Sequence, residues 1–248
     1  MKQIDPQALL KHITPQRLAY SQEYIDLSQP EKIAQWAMKC YANDNETCFA
    51  VTWKYPDWNV VSFINSDDDF CRQFLRQFDQ TEVCLPLRPG QAPPNIKLRG
   101  LRQKAIEQAF AYEGPAPQRP IDPHIRLLNH HELDLLLPLV RDPIELKTPG
   151  MIAFTWHENE TIAGFLHCNP DVADLWDVGF IHTLPEHQGR GIGTALAYAY
   201  LKTMCERGLV PYYSGVSNPA SAAAARKAGF ELCCARHVFN YKRPKLFK

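Results

Sequence analysis

The segment Asp177-Val-Gly-Phe-Ile-His-Thr-Leu-Pro-Glu-His-Gln-Gly-Arg-Gly-Ile-Gly-Thr-Ala195 gathers residues suited to holding an anion. Gly189, Gly191 and Gly193 remove side chains where backbone must approach another group, and they permit positive φ. An Ala- and Leu-rich run follows, so the glycines open a helix. Its first N–H groups lack intrahelical partners and carry a partial positive charge. A strand, a glycine turn and a helix start together make a phosphate site. Two common phosphate patterns fail on particular residues. GxxxxGK[ST] needs a lysine that is absent. GxGxxG needs glycine where Thr194 stands, and an acid about 20 residues on, where the chain reads Pro211-Tyr-Tyr213. A glycine turn that binds nothing is the alternative left by these residues alone.

A second block lies about 25 residues downstream: Ser217-Asn-Pro-Ala-Ser221, then Arg226-Lys-Ala-Gly-Phe230. Gln188-Gly-Arg-Gly-Ile-Gly193 fits the Q/R-x-x-G-x-G/A signature, with Leu184-Pro-Glu-His187 before it. With both blocks in order, roughly residues 121–241 resemble the GNAT N-acetyltransferase superfamily.

The resemblance implies acetyl-CoA as donor. The backbone amides of Gln188, Gly189, Arg190, Gly191, Ile192, Gly193 and Thr194 would hold the CoA pyrophosphate. Ile181, His182 and Thr183 match the strand that pairs with the pantetheine arm and aims an N–H at the thioester carbonyl, an oxyanion donor. Asn218 would touch the arm, besides serving as a helix N-cap before Pro219. Arg226 and Lys227 lie near the nucleotide phosphates or on a solvated helix face. Gly164 matches a conformationally free strand glycine. A reacting amine must lose a proton, and the shorter Asp177 stands where members that use an acid here carry Glu; Asp174, Glu186 and His182 are weaker candidates. Many members carry a Tyr seven residues after the Asn, to protonate the departing thiolate. Here that position is Ala225, which leaves Ser221, one helical turn earlier, as the candidate donor. The implied activity is acetyl transfer to a primary amine, with a small molecule as the expected acceptor. The alternatives are a peptide or protein acetyltransferase and a non-catalytic acyl-CoA-binding module.

The elements needed to position these residues are legible around them. Ile125–Leu128, Met151–Trp156, Ile162–Cys168 and Leu175–Leu184 read as strands. His131–Val140 reads as a helix. Gly191–Arg207 is a long helix stopped by Gly208. Val210–Ser217 is a strand, Pro219–Ala228 a helix stopped by Gly229, and Glu231–Tyr241 a last strand. The fold expected is mixed α/β of the α+β type, a GNAT-like sheet flanked by helices over 119–248. A Pro-rich break, Pro115-Ala-Pro-Gln-Arg-Pro120, separates it from a smaller α/β region, 1–118, a degenerate GNAT-like half by analogy. In that region Glu31–Tyr41 and Leu98–Tyr112 read as helices. Cys48–Trp53 and Val60–Ile64 form a hairpin. Asp67, Asp68 and Asp69 head an amphipathic helix through Phe70, Phe74, Leu75 and Phe78, and Thr81–Leu87 is a strand. Trp53, Tyr55 and Trp58 are hairpin residues packing on a core or a binding surface.

Composition bounds the rest. The 248 residues hold 27 Lys and Arg against 27 Asp and Glu, with 45% apolar residues. The balance suits a globular chain and removes the cationic field that non-specific nucleic-acid binding needs. No apolar run reaches the roughly 20 residues of a membrane helix. The start lacks the apolar stretch of a signal peptide. The eight cysteines are scattered without a CxxC pair, and the nine histidines include no HExxH. The chain reads as cytoplasmic, with reduced thiols and no metal site.

Overall fold

A computed structural model describes residues 1–93, 96–140, 149–172 and 174–244. They form two compact units. One is Met1–Glu107 with Cys233–Lys248, and the other is Gln108–Leu232. The proline-rich break at 115–120 falls inside the second.

In the first unit, β1 (Lys2–Ile4), β2 (Lys39–Ala42), β3 (Phe49–Lys54) and β4 (Asn59–Ile64) pair antiparallel in that order. Next comes β5 (Gln80–Leu87), parallel to β4, and then β12 (Glu231–Lys242), antiparallel to β5. Helices α1 (Pro6–Ile13), α2 (Ser21–Leu27) and α3 (Pro30–Gln35) pack on this unit, and α4 (Asp68–Leu75) joins β4 to β5. The acidic head of α4 is as expected. Asp67 accepts from Phe70 N–H at 2.7 Å, and Phe70, Cys71, Phe74 and Leu75 are buried. Trp53 belongs to the core, its Nε1 donating to Asp26 at 3.0 Å.

Two helix expectations are corrected here. The helix read over Glu31–Tyr41 ends at Gln35. Ala37 takes φ +43°, Met38 N–H returns to Ile33 O at 2.9 Å, and Lys39 onward pairs with β1 and β3. The helix read over Leu98–Tyr112 is β6 (Leu101–Ala111). Its Arg, Gln, Lys, Ala and Glu are good helix formers, but propensity spans only about 0.7 kcal/mol per residue. A ladder partner supplied by distant chain overrides it.

In the second unit, β7 (Ile125–Leu128), β8 (Ile152–Glu158), β9 (Thr161–Val172) and β10 (Leu175–Thr183) pair antiparallel in succession. β11 (Val210–Val216) is parallel to β10, and the Gln108–Ala111 end of β6 pairs antiparallel with β11. The helix read at 131–140 is a 3-10 segment, His130–Leu136, with a capping box between Asn129 and Glu132.

Helix α5 (Ile192–Glu206) crosses one face of this sheet. Leu196, Ala197, Tyr200, Leu201 and Met204 are fully buried against Phe154, Leu166, Val178 and Phe230. Each large apolar side chain so buried contributes about 1.5–3 kcal/mol. Helix α6 (Pro219–Ala228) adds Ala222, Ala225 and Ala228 to the same core, and Gly229 ends it at φ +109°. The opposite face carries a smaller cluster of Leu128, Leu133, Leu136, Met151, Ala153 and Phe165. Among the described residues, no helix is long and apolar enough to cross a membrane.

Candidate active site

β10 and β11 pair only at their starts. Leu175, Trp176 and Asp177 face Val210, Pro211 and Tyr212, and no pairing continues beyond them. Tyr200 of α5 pins that paired end. Its hydroxyl donates to Trp176 O at 2.5 Å and accepts from Tyr212 N–H at 3.0 Å. Beyond it the strands part. β10 stays bound to β9 through Ile181–Leu166, His182–Phe165 and Thr183–Gly164. Alternate N–H and C=O groups of an antiparallel strand point away from its partner, so those of 181–183 line the gap toward β11. The register slips between Val178 and Phe180, which makes Gly179 the extra residue of a β-bulge.

The gap leads to the head of α5. Gly189 and Gly191 take φ +76° and +85°, and Gly191 is the N-cap with no side-chain bond. Helical bonding starts with Ala195 N–H donating to Gly191 O at 3.0 Å. The N–H groups of Ile192, Gly193 and Thr194 therefore precede the first closed turn. A Cβ on Gly191 would meet nothing within 4 Å among the described residues, so the space before the helix is open. Gly164 matters differently: a Cβ there would stand 2.9 Å from His182 O and 3.1 Å from Ile192 Cγ2. It lets α5 start close against the sheet.

Three side chains hold the loop. Gln188 Nε2 donates to Thr183 O at 3.2 Å. Arg190 Nη1 donates to Glu158 Oε2 at 2.9 Å, and His187 Nδ1 lies 3.2 Å from the same oxygen. The Arg190 hydrogen bond is the main cause holding the Glu158 carboxyl below its usual range. Glu158, on β8 far from the glycine motif in sequence, is a loop anchor that sequence reasoning missed. Gln188 and Arg190 thus tie the loop down through their side chains, and the Gln188 N–H, expected among the pyrophosphate donors, instead donates to Pro185 O at 3.3 Å.

Asp177 sits where the split begins. Its Oδ1 accepts from Ser214 N–H at 3.0 Å and its Oδ2 from the Ser214 hydroxyl at 2.5 Å. At the head of α6, Asn218 Oδ1 accepts from Ser221 N–H at 2.8 Å, while its Nδ2 donates to Ser221 Oγ at 3.0 Å. Asn218 is therefore the N-cap in this conformation, and Ser221 keeps its own proton to donate. The buried Tyr213 hydroxyl lies beside Ser221, and burial is the main cause that raises its pKa. Arg226 turns to Gln108 (3.3 Å) and over the Phe110 ring (5.0 Å). His182 lies on the opposite face of β10 from Ile181, against Phe165 and Phe180.

Residues 117–230 match the sequence model of the acetyltransferase (GNAT) family. That part of the chain is a GNAT domain, an acyltransferase by family. Solved structures share its architecture. A GCN5-related N-acetyltransferase from Sphaerobacter thermophilus is 15% identical over 100% of this chain and 96% of its own, with a TM-score of 0.59. A Drosophila protein is 11% identical over 99% of each chain, TM-score 0.58. A tandem GNAT protein from the clavulanic acid biosynthesis pathway is 10% identical over 98% of each, TM-score 0.54. At these identities the likeness concerns the fold. No curated protein sequence matches the chain.

Proposed function

We propose that the protein moves an acetyl group from acetyl-CoA to the primary amine of a small molecule by direct attack. The observation that carries this reading is the parting of β10 and β11 after Asp177 and Tyr212, opening onto the glycine-headed start of α5. A pyrophosphate fits before Gly191, where donors are free and space is open. The pantetheine arm fits the edge of Ile181–Thr183, and an N–H from that edge would stabilise charge developing on the thioester oxygen. Asp177 takes the amine proton. Ser221, with Tyr213 beside it on β11, offers a proton to the sulfur.

The first unit supports a degenerate GNAT-like half. Its order, four antiparallel strands and then β5 parallel to β4 with α4 between, repeats that of β7–β11 with α5. Where the second unit has uncapped glycine, the first has Asp67, Asp68 and Asp69. Those carboxylates repel a pyrophosphate, so the chain holds one donor site. Acetyl-CoA-dependent release of CoA thiol against a panel of amines tests the activity. Ala225 favours one rival, a non-catalytic acyl-CoA-binding module; donor binding without turnover on any amine would establish it.

A further inference from the structure

Directly opposed residues of an antiparallel pair share a face of the sheet. Asn169 is opposite Asp177, His167 opposite Phe180, and Phe165 opposite His182. Their neighbours Leu166, Cys168 and Val178 lie in the core beneath α5. The six residues therefore gather on the other face of the sheet, around the Gly179 bulge.

This face has a polar end and an aromatic end. At the polar end, Asn169 Oδ1 and both ring nitrogens of His167 are buried without a hydrogen-bond partner. Buried polar atoms are rarely left so. His167 is 3% exposed, and burial lowers its pKa to about 4, so it is a neutral ring with one lone pair to offer. The bulge glycine lets these two side chains lie against the strand: a Cβ on Gly179 would stand 2.7 Å from His167 Nδ1 and 2.8 Å from Asn169 Nδ2. At the aromatic end, Phe180 lies nearly parallel to His182 (6.1 Å, 17°) and to His167 (6.2 Å, 25°). Phe180 is nonetheless 42% exposed, a flat apolar shelf open to solvent.

We infer that this face is the acceptor site, and that it takes a primary amine joined by a short arm to a flat apolar ring. This rests on the acetyl-transfer reading above. The ring stacks on Phe180 and His182. The amine reaches Asn169 Oδ1, the His167 lone pair and the Asp177 carboxylate, all acceptors suited to an ammonium. One N–H proton passes to Asp177. The nitrogen then forms the C–N bond as the C–S bond breaks; its second proton replaces the one Ser221 gives to the sulfur, so the amide keeps one N–H and CoA leaves as the thiol.

The test compares 2-phenylethylamine with 1,4-diaminobutane as acceptors, reading CoA thiol release. The expected kcat/KM is at least tenfold higher for the aryl amine. Phe180→Ala should raise the KM of the aryl amine by about tenfold, the size of a lost aromatic contact plus its buried area, and leave the KM of acetyl-CoA unchanged. Phe180 is exposed enough for the variant to fold, which its melting curve checks. Equal use of both amines, or an unchanged KM in Phe180→Ala, overturns the assignment. If acetyl-CoA stabilises the protein but neither amine is acetylated, the acceptor class is wrong and the donor site stands. If acetyl-CoA does not stabilise it, the acetyl-transfer reading fails. The aryl amine's own thermal stabilisation, present in wild type and absent in Phe180→Ala, then decides this face by itself.

Discussion

The Asp177 carboxylate receives both the backbone N–H and the hydroxyl of Ser214, at 3.0 and 2.5 Å, across the point where β10 and β11 part. The pair bridges the two strands just beyond their last paired residues, Asp177 and Tyr212. In the proposed reaction the same carboxylate is the general base.

These two roles of Asp177 separate by mutation. Asp177→Asn should lower kcat on a true amine acceptor by about 10²-fold, the low end for a lost general base. The loss should shrink at high pH, where free amine is abundant. Ser214→Ala removes the hydroxyl bond alone and should cost far less. Steady-state rates for both variants decide it; equal losses would make Asp177 a positioning residue that acts through Ser214.

Acetyl-CoA should raise the melting temperature of the wild-type protein, because the donor binds only the native state. Gly191→Val should abolish that shift. The Cβ meets no protein atom, but φ +85° strains a branched residue and its bulk enters the open space before α5. Differential scanning fluorimetry at millimolar acetyl-CoA reads both effects.

Titration calorimetry with CoA should give one site per chain. Asp67, capping α4 with Asp68 and Asp69 behind it, occupies in the first unit the place of the uncapped Gly191 in the second. A stoichiometry of two would overturn the degenerate reading of the first unit.

Ser221→Ala should cost about tenfold in kcat, less than Asp177→Asn. A thiol with a reference pKa near 8.5 already leaves tolerably at neutral pH, so protonating it helps without being essential. Tyr213→Phe tests the neighbouring hydroxyl the same way. Ala225→Tyr should not be required for activity; if it creates turnover where wild type has none, the protein is a CoA-binding module.

Stability should fall in acid through His167. Its folded pKa, about 4, lies below the ordinary 6.5, so the unfolded chain binds a proton that the folded chain refuses. Stability is complete above pH 6.5 and declines as pH drops toward 4, by about 3 kcal/mol from this ring at the limit. His157 and His237, also lowered by burial, add to the same limb. Urea unfolding from pH 7 to 4 should show a shallower decline in His167→Gln.

The glycine loop, the helix it opens and the Asn218–Pro219 cap were legible in the chain because each is local. A glycine at positive φ, an uncapped helix start and an Asx cap are chosen by residues within one turn of one another. The same holds for the acidic head of α4. What depended on distant partners was not legible. β6 carries helix-forming residues yet is a strand, and its Gln108–Ala111 end finds its ladder partner in β11, far along the sequence. β12 returned to the first unit to pair with β5, which no feature of 231–242 announces. Tyr200 read as a helix residue, and only packing revealed that it pins the two strands where they part. Glu158 on the Arg190 loop, and the orphaned His167 beside the Gly179 bulge, likewise arise from strand register. Register is set by burial over the whole sheet, and a slip of one residue would turn each of these side chains to the other face.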